Sequence, residues 1–364
     1  MRSPSTGTVE DPLSAYFPFR RPGNSPGGTG RVEGLRMTQA FTHRPVMVDE
    51  VVALLAQVPA GLFVDATLGG AGHASAVLAA HPGLRLVGID RDADALAAAR
   101  ARLEPFADRV AALHHARFDR LAQLVTGPVT AVVLDLGVSS PQFDRAERGF
   151  SYRHDGPLDM RMDRSQRRTA ADLVNGLDES ALARLFLAGG ERRFSRRIAR
   201  TVVARRPLTT TFQLAEAVKD AIPAAARRTG GHPAKRVFQA LRIAVNDELD
   251  VLGPTVDAAV RLLAPGGRVV VLAYHSGEDR IVKDRLLDAS TGGCGCPPAL
   301  PCVCGAVPLV RLLNRGARKP APAEVAANPR SESARLRAAE RLAAAGAPTA
   351  AGHDRHDDDE RSRR

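Results

Sequence analysis

Four short apolar runs between residues 62 and 135 alternate with helix-like segments, and this alternation constrains the fold more than any other feature of the chain. Strands that alternate with short helices are typical of a parallel sheet covered by helices. The run that ends at Asp135 is typical of a strand buried on both faces. We therefore predict an α/β fold with a doubly wound sheet. The predicted strands span residues 62–66, 84–90, 110–114 and 129–135.

The strand–helix alternation stops near residue 144 and resumes with a fifth predicted strand at 267–273. Helical periodicity and charge dominate the stretch between them. We therefore predict one sheet domain in two parts, interrupted by a helical insertion domain. The predicted boundaries are 39–143 for the first part, 144–250 for the insertion and 251–344 for the second part. Two weaker segments, near 307–314 and 333–338, are expected to form a closing hairpin on the sheet.

The two ends of the chain differ in composition from the region between them. Residues 1–38 are rich in Pro, Gly, Ser and Thr, and residues 345–364 alternate His, Asp and Arg. Such segments bury too little apolar surface to offset the entropy lost on ordering. Both ends are therefore predicted to be disordered, and Met37 is an alternative start of the protein.

The charge balance indicates a polyanionic partner. Lys and Arg exceed Asp and Glu by 51 to 40, a net charge of +11, and a strongly basic surface attracts nucleic acid. An Arg-rich composition shared by all proteins of a high-GC organism is the alternative explanation. The sequence shows neither a signal peptide nor an apolar stretch long enough to cross a bilayer. We therefore expect a cytoplasmic protein.

The loop after the first predicted strand has the composition of a cofactor-binding turn. It contains Gly69, Gly70, Ala71, Gly72 and His73, and glycines allow a ligand to approach the backbone at the start of a helix. The second strand ends at an acid, Asp90, where a ribose hydroxyl is commonly bound.

Two cofactors are compatible with this turn, NAD and S-adenosylmethionine. The third glycine of a dinucleotide fingerprint is replaced by Ser75, which favours S-adenosylmethionine. Phe118 follows the third strand and is a candidate to cover an adenine ring. A tight structural turn without a ligand, and a core role for Phe118, are the alternatives.

The segment after the fourth strand suggests the atom that is modified. Asp135 ends that strand, and Ser140, Pro141, Gln142 and Phe143 follow in a predicted turn. A hydroxyl and a proline carbonyl can accept both hydrogens of an exocyclic amine and localise its lone pair, while an aromatic ring stacks on the base. Methylation of a pyrimidine carbon needs a nearby cysteine nucleophile, and the first cysteine of the chain is Cys294.

Several longer motifs extend this pattern through the rest of the chain. They span residues 135–142, 147–151, 155–162, 232–234, 238–243, 245–249 and 328–331. Together they resemble the ribosomal small subunit methyltransferase H family, also called MraW, and the resemblance runs from about His43 to Arg341. The Ser-Pro segment also resembles the Ser-Pro-Pro-aromatic signature of DNA N4-cytosine methyltransferases, with Gln142 in place of the second proline.

The family resemblance implies a class I S-adenosylmethionine-dependent methyltransferase with a Rossmann-like sheet. It implies methylation of N4 of one cytidine in the decoding region of 16S rRNA, within the small ribosomal subunit. It also implies that the methyl donor is contacted at Ala71, Gly72, His73, Asp90, Phe118, Asp135 and Gln142. A DNA amine methyltransferase, a ribosome assembly factor that binds the cofactor without catalysis, and an NAD dehydrogenase are the alternatives. The oligomeric state stays open, with a homodimer as one option.

The segment 274–280 departs from the family pattern Phe-His-Ser-Leu-Glu-Asp-Arg at two positions. Tyr274 replaces Phe, and Gly277 replaces Leu, which removes a side chain beside His275. His275 is a candidate catalytic residue, but the change to Gly277 loosens the loop and counts against that role. A structural histidine at a strand end is the alternative.

Residues 191–206 form a predicted amphipathic helix with seven arginines and one acid. Phe194, Ile198 and Val202 form its apolar stripe. Such a helix usually has a basic face that is simply exposed to solvent. In an enzyme that acts on rRNA, we favour the interpretation that this face contacts phosphate groups.

Four cysteines lie close together near the end of the ordered region. Cys294, Cys296, Cys302 and Cys304 have the spacing C-x-C-x5-C-x-C. Four thiolates so close in sequence can bind one zinc ion tetrahedrally, whereas reduced cysteines without a metal are the alternative. From the sequence we therefore hypothesise a structural zinc site at these cysteines.

Overall fold

The computed structural model describes residues 44–227, 232–297 and 303–343, so the predicted disordered ends lie outside the described residues. A seven-stranded sheet has the order β3-β2-β1-β4-β5-β7-β6. Strands β1 to β5 pair in parallel, and β7 is antiparallel to β5 and to β6. The strands are β1 Gly61–Asp65, β2 Leu84–Asp90, β3 Val110–His115, β4 Val129–Asp135, β5 Leu263–Ala273, β6 Val310–Leu312 and β7 Arg335–Arg341.

The described α-helices cover the sheet and fill the gap between β4 and β5. They are α1 Val48–Leu55, α2 Gly72–Ala80, α3 Ala93–Arg102, α4 Leu121–Leu124, α5 Ser140–Asp144, α6 Ala170–Gly176, α7 Glu179–Ala188, α8 Ser195–Ala204, α9 Thr211–Ala221, α10 Ala224–Arg227, α11 Lys235–Asn246, α12 Leu252–Leu262, α13 Ser276–Thr291 and α14 Pro322–Ala327. The predicted closing hairpin is confirmed as the antiparallel pair β6 and β7, although α14 lies between its strands in the chain.

Alternating strand residues point to two apolar cores, one on each face of the sheet. Phe63 and Val133 pack on one face with residues of α1, α2 and α3. Val64 and Val132 pack on the other face with α4, α12 and α13. Burial on both faces explains why these strands are almost wholly apolar.

The helices between β4 and β5 surround a third apolar core of their own. Phe186 of α7, Ile198 of α8 and Leu241 of α11 are among its fully buried side chains. The predicted fold class, a doubly wound α/β sheet with a helical insertion, is therefore confirmed. We propose that the insertion domain has the boundaries 144–250, because α12, the next helix, packs on the sheet.

Candidate active site

Three strands that meet at one edge of the sheet each end in an aspartate. Asp65 ends β1, Asp90 ends β2 and Asp135 ends β4. β1 lies between β2 and β4, so the chain order reverses there, and such a reversal opens a crevice where α/β sheets bind ligands. The structure therefore brings the two predicted acids, Asp90 and Asp135, together with Asp65, which the sequence analysis did not select.

The acids at this edge are held in an environment that disfavours negative charge. Asp65 is only 1% exposed, and its burial, with the charges of Asp135 and Asp90, raises its pKa to about 8. Burial also raises the pKa of Asp90. Carboxylates with raised pKa in a crevice are typical of a functional site, and a cationic ligand relieves the cost of ionising them.

Asp90 fixes the glycine-rich turn. Its carboxylate accepts a bond from the Gly69 N–H at 2.7 Å and a second from the Asp92 N–H at 2.8 Å. Each carboxylate oxygen has further acceptor capacity. Asp90 is therefore able to position the turn and still accept a hydroxyl.

The backbone of this turn enters the left-handed region at two residues. Gly69 and Ala71 both have positive φ, +52° and +58°, and Ala71 is the N-cap of α2. Open space surrounds the position of a Cβ at Gly70, whereas one at Gly72 would collide with the ring of Pro45. Open space therefore lies beside Gly70, and the segment around Pro45 covers Gly72.

His73 is buried beneath this turn. Its Nε2 lies 2.9 Å from the Val46 carbonyl oxygen, and its Nδ1 lies 3.5 Å from Oδ2 of Asp135. The ring therefore links the segment before α1 to the acid at the end of β4. The predicted donor contact of His73 stays a prediction.

A tyrosine hydroxyl fixes Asp135 from the neighbouring strand. Tyr274, directly after β5, donates its Oη–H to Oδ1 of Asp135 at 2.7 Å. Burial, with the nearby Asp135 charge, raises the pKa of Tyr274 well above its ordinary value, so the phenol stays neutral and donates. The sequence analysis noted that Tyr274 replaces Phe but did not predict this bond, for which the added hydroxyl was the available signal.

The Ser-Pro segment forms a helix, α5, and the prediction of a simple turn is wrong. Serine followed by proline at the start of a helix is a favourable N-terminus, and Gln142 completes a capping box by accepting the Ser139 N–H at 3.0 Å. The Pro141 carbonyl accepts the Arg145 N–H at 3.1 Å. Phe143 packs against the insertion core, with the Arg330 guanidinium 5.8 Å from its ring centre.

A buried polar cluster joins α5 to the edge of the sheet. The amide of Gln142 donates to Oδ2 of Asp92 at 2.8 Å, and Nη2 of Arg148 lies 2.9 Å from the same oxygen. Arg148 is 3% exposed and also donates to the carbonyl of Met162 at 2.9 Å. Gln142 is thus engaged at both ends of its amide, and its predicted donor contact stays a prediction. Neither Asp92 nor Arg148 was selected from the sequence.

Comparison with known proteins identifies the family. Residues 40–342 match the model of the MraW methylase family. The ribosomal RNA small subunit methyltransferase H of Thermobifida fusca (strain YX) is 55% identical over 321 residues, which cover 84% of this chain and 95% of the relative. The protein of the same name from Symbiobacterium thermophilum is 50% identical over 314 residues, or 84% and 98% of the two chains. The chain belongs to the MraW methylase family. The predicted family is thereby confirmed.

One solved structure shows a weaker similarity to this chain. A putative rRNA methylase from Clostridium thermocellum matches 83% of this chain and 100% of its own length, with 13% identity and a TM-score of 0.39. The family assignment therefore rests on the sequence matches.

His275, the catalytic candidate in this MraW chain, caps a helix. Its Nδ1 accepts the N–H groups of Gly277 and Glu278 at the start of α13, at 3.2 and 3.3 Å. Its Nε2 lies 3.1 Å from Oε1 of Glu278. Both ring nitrogens therefore face groups of the same helix start, and the predicted catalytic role of His275 stays a prediction.

Glu278 connects this helix start to the insertion. It is 2% exposed, and its carboxylate accepts the Tyr274 N–H at 2.8 Å. Arg242 of α11 lies 3.7 Å away and forms a two-pronged bond with Glu248. Burial alone raises the pKa of Glu278. The contacts with His275 and Arg242 outweigh burial and hold this pKa below its ordinary value. Sequence reasoning missed this residue.

The remaining predicted site residues lie in two places. Phe118 begins a short 3-10 helix after β3 and is partly buried against the core beneath α4, so its cover over an adenine ring stays a prediction. Cys294, Cys296 and Cys304 converge beyond the other end of α13, whereas Cys302 lies outside the described residues.

In the part of the chain that the structure describes, no helix has the length and apolar character to cross a membrane.

Proposed function

We propose that this chain transfers a methyl group from S-adenosylmethionine to N4 of a cytidine in the decoding region of 16S rRNA. Family membership carries the proposal, because relatives at 50–55% identity are named ribosomal RNA small subunit methyltransferase H. A small ribosomal subunit as substrate is consistent with the net charge of +11. It also implies a cytoplasmic enzyme.

The residues at the carboxyl edge fit this cofactor. S-adenosylmethionine supplies an electrophilic methyl group on a positively charged sulfur when bound. Asp65, Asp90 and Asp135 form an acidic edge whose ionisation such a cation favours. We assign Asp90 to the ribose hydroxyls and Phe118 to the adenine ring. The open space at Gly70 admits a ligand close to the backbone.

The α5 segment is suited to bind the exocyclic amine of a substrate base. We assign the hydroxyl of Ser140 and the carbonyl of Pro141 to accept the two amine hydrogens, and Phe143 to stack on the base. A hydrogen bond from each N–H to an acceptor directs the nitrogen lone pair toward the methyl group. The chain supplies positioning and exclusion of water, and no covalent bond to the enzyme forms.

Exposed arginines on α8 and directly before it supply a surface for phosphate groups. Ile198 and Val202 are buried in the insertion core, whereas the arginines are exposed at 192, 193, 196, 197 and 200. Arg205 and Arg206 serve the fold instead: Arg205 pairs with Asp220 at 2.8 Å, and Arg206 donates to the Val174 carbonyl at 2.7 Å. We therefore restrict the predicted RNA-binding residues to the five exposed arginines from 192 to 200.

Methyl transfer to isolated subunits tests the proposal. Small subunits from a strain that lacks the gene for this enzyme are incubated with the protein and labelled S-adenosylmethionine, and the 16S rRNA is digested to nucleosides. We expect label in N4-methylcytidine only. Cofactor binding without transfer would instead favour an assembly factor, and label in DNA or in another nucleoside would overturn the assigned substrate.

A further inference from the structure

Three cysteine sulfurs meet in the loop that connects α13 to β6. The Sγ atoms of Cys294, Cys296 and Cys304 lie within 4.8 Å of one another, and those of Cys294 and Cys304 are 3.5 Å apart. A disulfide would require about 2.05 Å. Zinc–sulfur bonds of about 2.3 Å place tetrahedral ligands about 3.8 Å apart. The observed spacing therefore matches ligands around one ion.

Apolar packing does not explain why these thiols converge. None of the described residues in 292–297 and 303–309 is buried. Val303 is 89% exposed and Val307 is 61% exposed. Burial is the usual environment of an unreactive cysteine, and these three sulfurs instead lie among described loop residues that are all at least partly exposed.

The backbone closes this loop onto the end of α13. The Cys294 N–H donates to the Thr291 carbonyl at 3.2 Å, and the Leu309 N–H donates to the Ala289 carbonyl at 2.8 Å. Gly292, Gly293 and Gly305 adopt positive φ, which allows the tight bends that bring the thiols together. The two ends of the loop are thus fixed by hydrogen bonds, and the three sulfurs meet between them.

We propose that Cys294, Cys296 and Cys304 bind a structural zinc ion. Thiolates are soft ligands that favour zinc over magnesium or calcium, and a zinc-bound loop gains stability that its exposed side chains do not supply. Helix α13 has 16 residues, or about 24 Å of helix, and its N-terminus carries His275. The zinc site therefore lies far from the carboxyl edge and stabilises the loop before β6 without taking part in methyl transfer.

Metal analysis of the full-length protein tests the proposal. The chain is expressed with added zinc, purified under reducing conditions and measured by inductively coupled plasma mass spectrometry. We expect about one zinc per chain, and an at least tenfold lower content after the double substitution Cys294→Ser and Cys304→Ser. Val303→Ser is the matched control in the same loop, and it is expected to keep its zinc. Zinc below about a tenth of an equivalent in the wild-type chain, or iron with inorganic sulfide in its place, would overturn the proposal.

Cobalt substitution separates a metal site from a folding defect of the variants. The wild-type protein is stripped with a chelator and titrated with Co²⁺, whose sulfur-to-metal absorption grows with the number of thiolate ligands. We expect intensity for at least three thiolates, protection of these thiols from a thiol reagent, and recovery of the thermal midpoint when zinc is added back. Fewer than three thiolates, or thiols that react equally with and without zinc, would contradict the assignment. These readouts do not involve methyl transfer, so the proposed function can fail independently.

Discussion

The carboxyl edge of the sheet and the helical insertion carry opposite charges in opposite environments. At the edge, burial raises the pKa of Asp65 and Asp90. On α8 of the insertion and directly before it, five arginines from 192 to 200 are exposed. Buried acids recognise a small cationic ligand at short range. Exposed arginines attract a long polyanion through electrostatic interactions that are screened by salt. This difference is the reason why we propose that the cofactor binds at the sheet and the RNA backbone at the insertion.

The two regions have separate apolar cores, and buried ion pairs connect them. Arg148 pairs with Asp92 at 2.9 Å, and Arg242 lies 3.7 Å from Glu278. A buried charge that loses its partner is costly, so such pairs favour one arrangement of the two regions. The predictions below test the two regions and these connections.

Among the substitutions compared at one pH, breaking the Arg148–Asp92 pair is expected to cause the largest loss of stability. Arg148→Ala leaves the buried Asp92 without its cation, and we expect the free energy of unfolding to fall by about 3–5 kcal/mol. Arg145→Ala is the matched control, because Arg145 forms an exposed pair with Asp94, and we expect a loss of about 1 kcal/mol or less. Urea unfolding measures both. Equal losses would show that Arg148 does not connect the regions.

Reversing the charge of α8 tests the RNA side of the comparison. The triple substitution Arg193→Glu, Arg196→Glu and Arg200→Glu should weaken binding of 16S rRNA about 100-fold at low salt and reduce its salt dependence. Cofactor affinity, measured by calorimetry, should not change.

The control for the α8 reversal carries the same change in net charge. Arg85→Glu, Arg100→Glu and Arg261→Glu reverse three exposed arginines of the sheet domain. We expect a smaller loss of RNA affinity, because only the distant field changes. If the two triple variants bind RNA equally, the effect is one of net charge, and α8 is not the phosphate-binding surface.

Stability should depend on pH through Asp65. Its pKa is about 8 in the folded protein against 3.8 when exposed, so the folded state holds a proton that the unfolded state has released. The resulting stabilisation is complete below about pH 4 and is lost as the pH rises to about 8, by up to about 1.4 kcal/mol per pH unit. Asp65→Asn should remove this dependence, which is read from the difference between the two proteins in urea unfolding without cofactor. A difference that is constant between pH 5 and 8 would contradict the raised pKa.

Removing the Tyr274 hydroxyl should have the smallest effect. Tyr274→Phe deletes the bond to Asp135, and loss of one hydrogen bond to a charged group costs about 1.5 kcal/mol. We expect cofactor affinity to fall about tenfold or less. Tyr152→Phe, which removes a phenol in the insertion, should leave that affinity unchanged. Equal cofactor affinity in wild type and Tyr274→Phe would mean that the tyrosine does not position Asp135.

The strands were predictable because burial on both faces leaves little freedom of composition. β2 and β4 occupy the predicted residues 84–90 and 129–135. β5 begins at Leu263, earlier than the predicted start at residue 267. The predicted start was too late because Pro265 and Gly266 are typical of a turn. Long apolar runs thus specify a strand better than they specify its first residue.

The site was predictable in part, and the missing part is long-range. Strand ends and glycines indicated Asp90, Asp135 and the turn, but Arg148 meets Asp92 only after the insertion folds against the sheet. Two helix starts were readable from spacing alone: Ser139 with Gln142, and His275 with Glu278, have the capping-box interval. Both segments also carry candidate catalytic residues, and a prediction from those residues alone gives a turn in place of α5.

The most direct test of the central claim is methyl transfer by the double variant Ser140→Ala and Phe143→Leu. Small subunits that lack the modification are the substrate, and N4-methylcytidine is quantified after digestion. We expect the rate to fall about 100-fold or more, the loss typical of removing groups that position a reacting atom, with cofactor affinity and thermal stability close to wild type. An unchanged rate in the folded variant would contradict the assignment of α5 to the target amine.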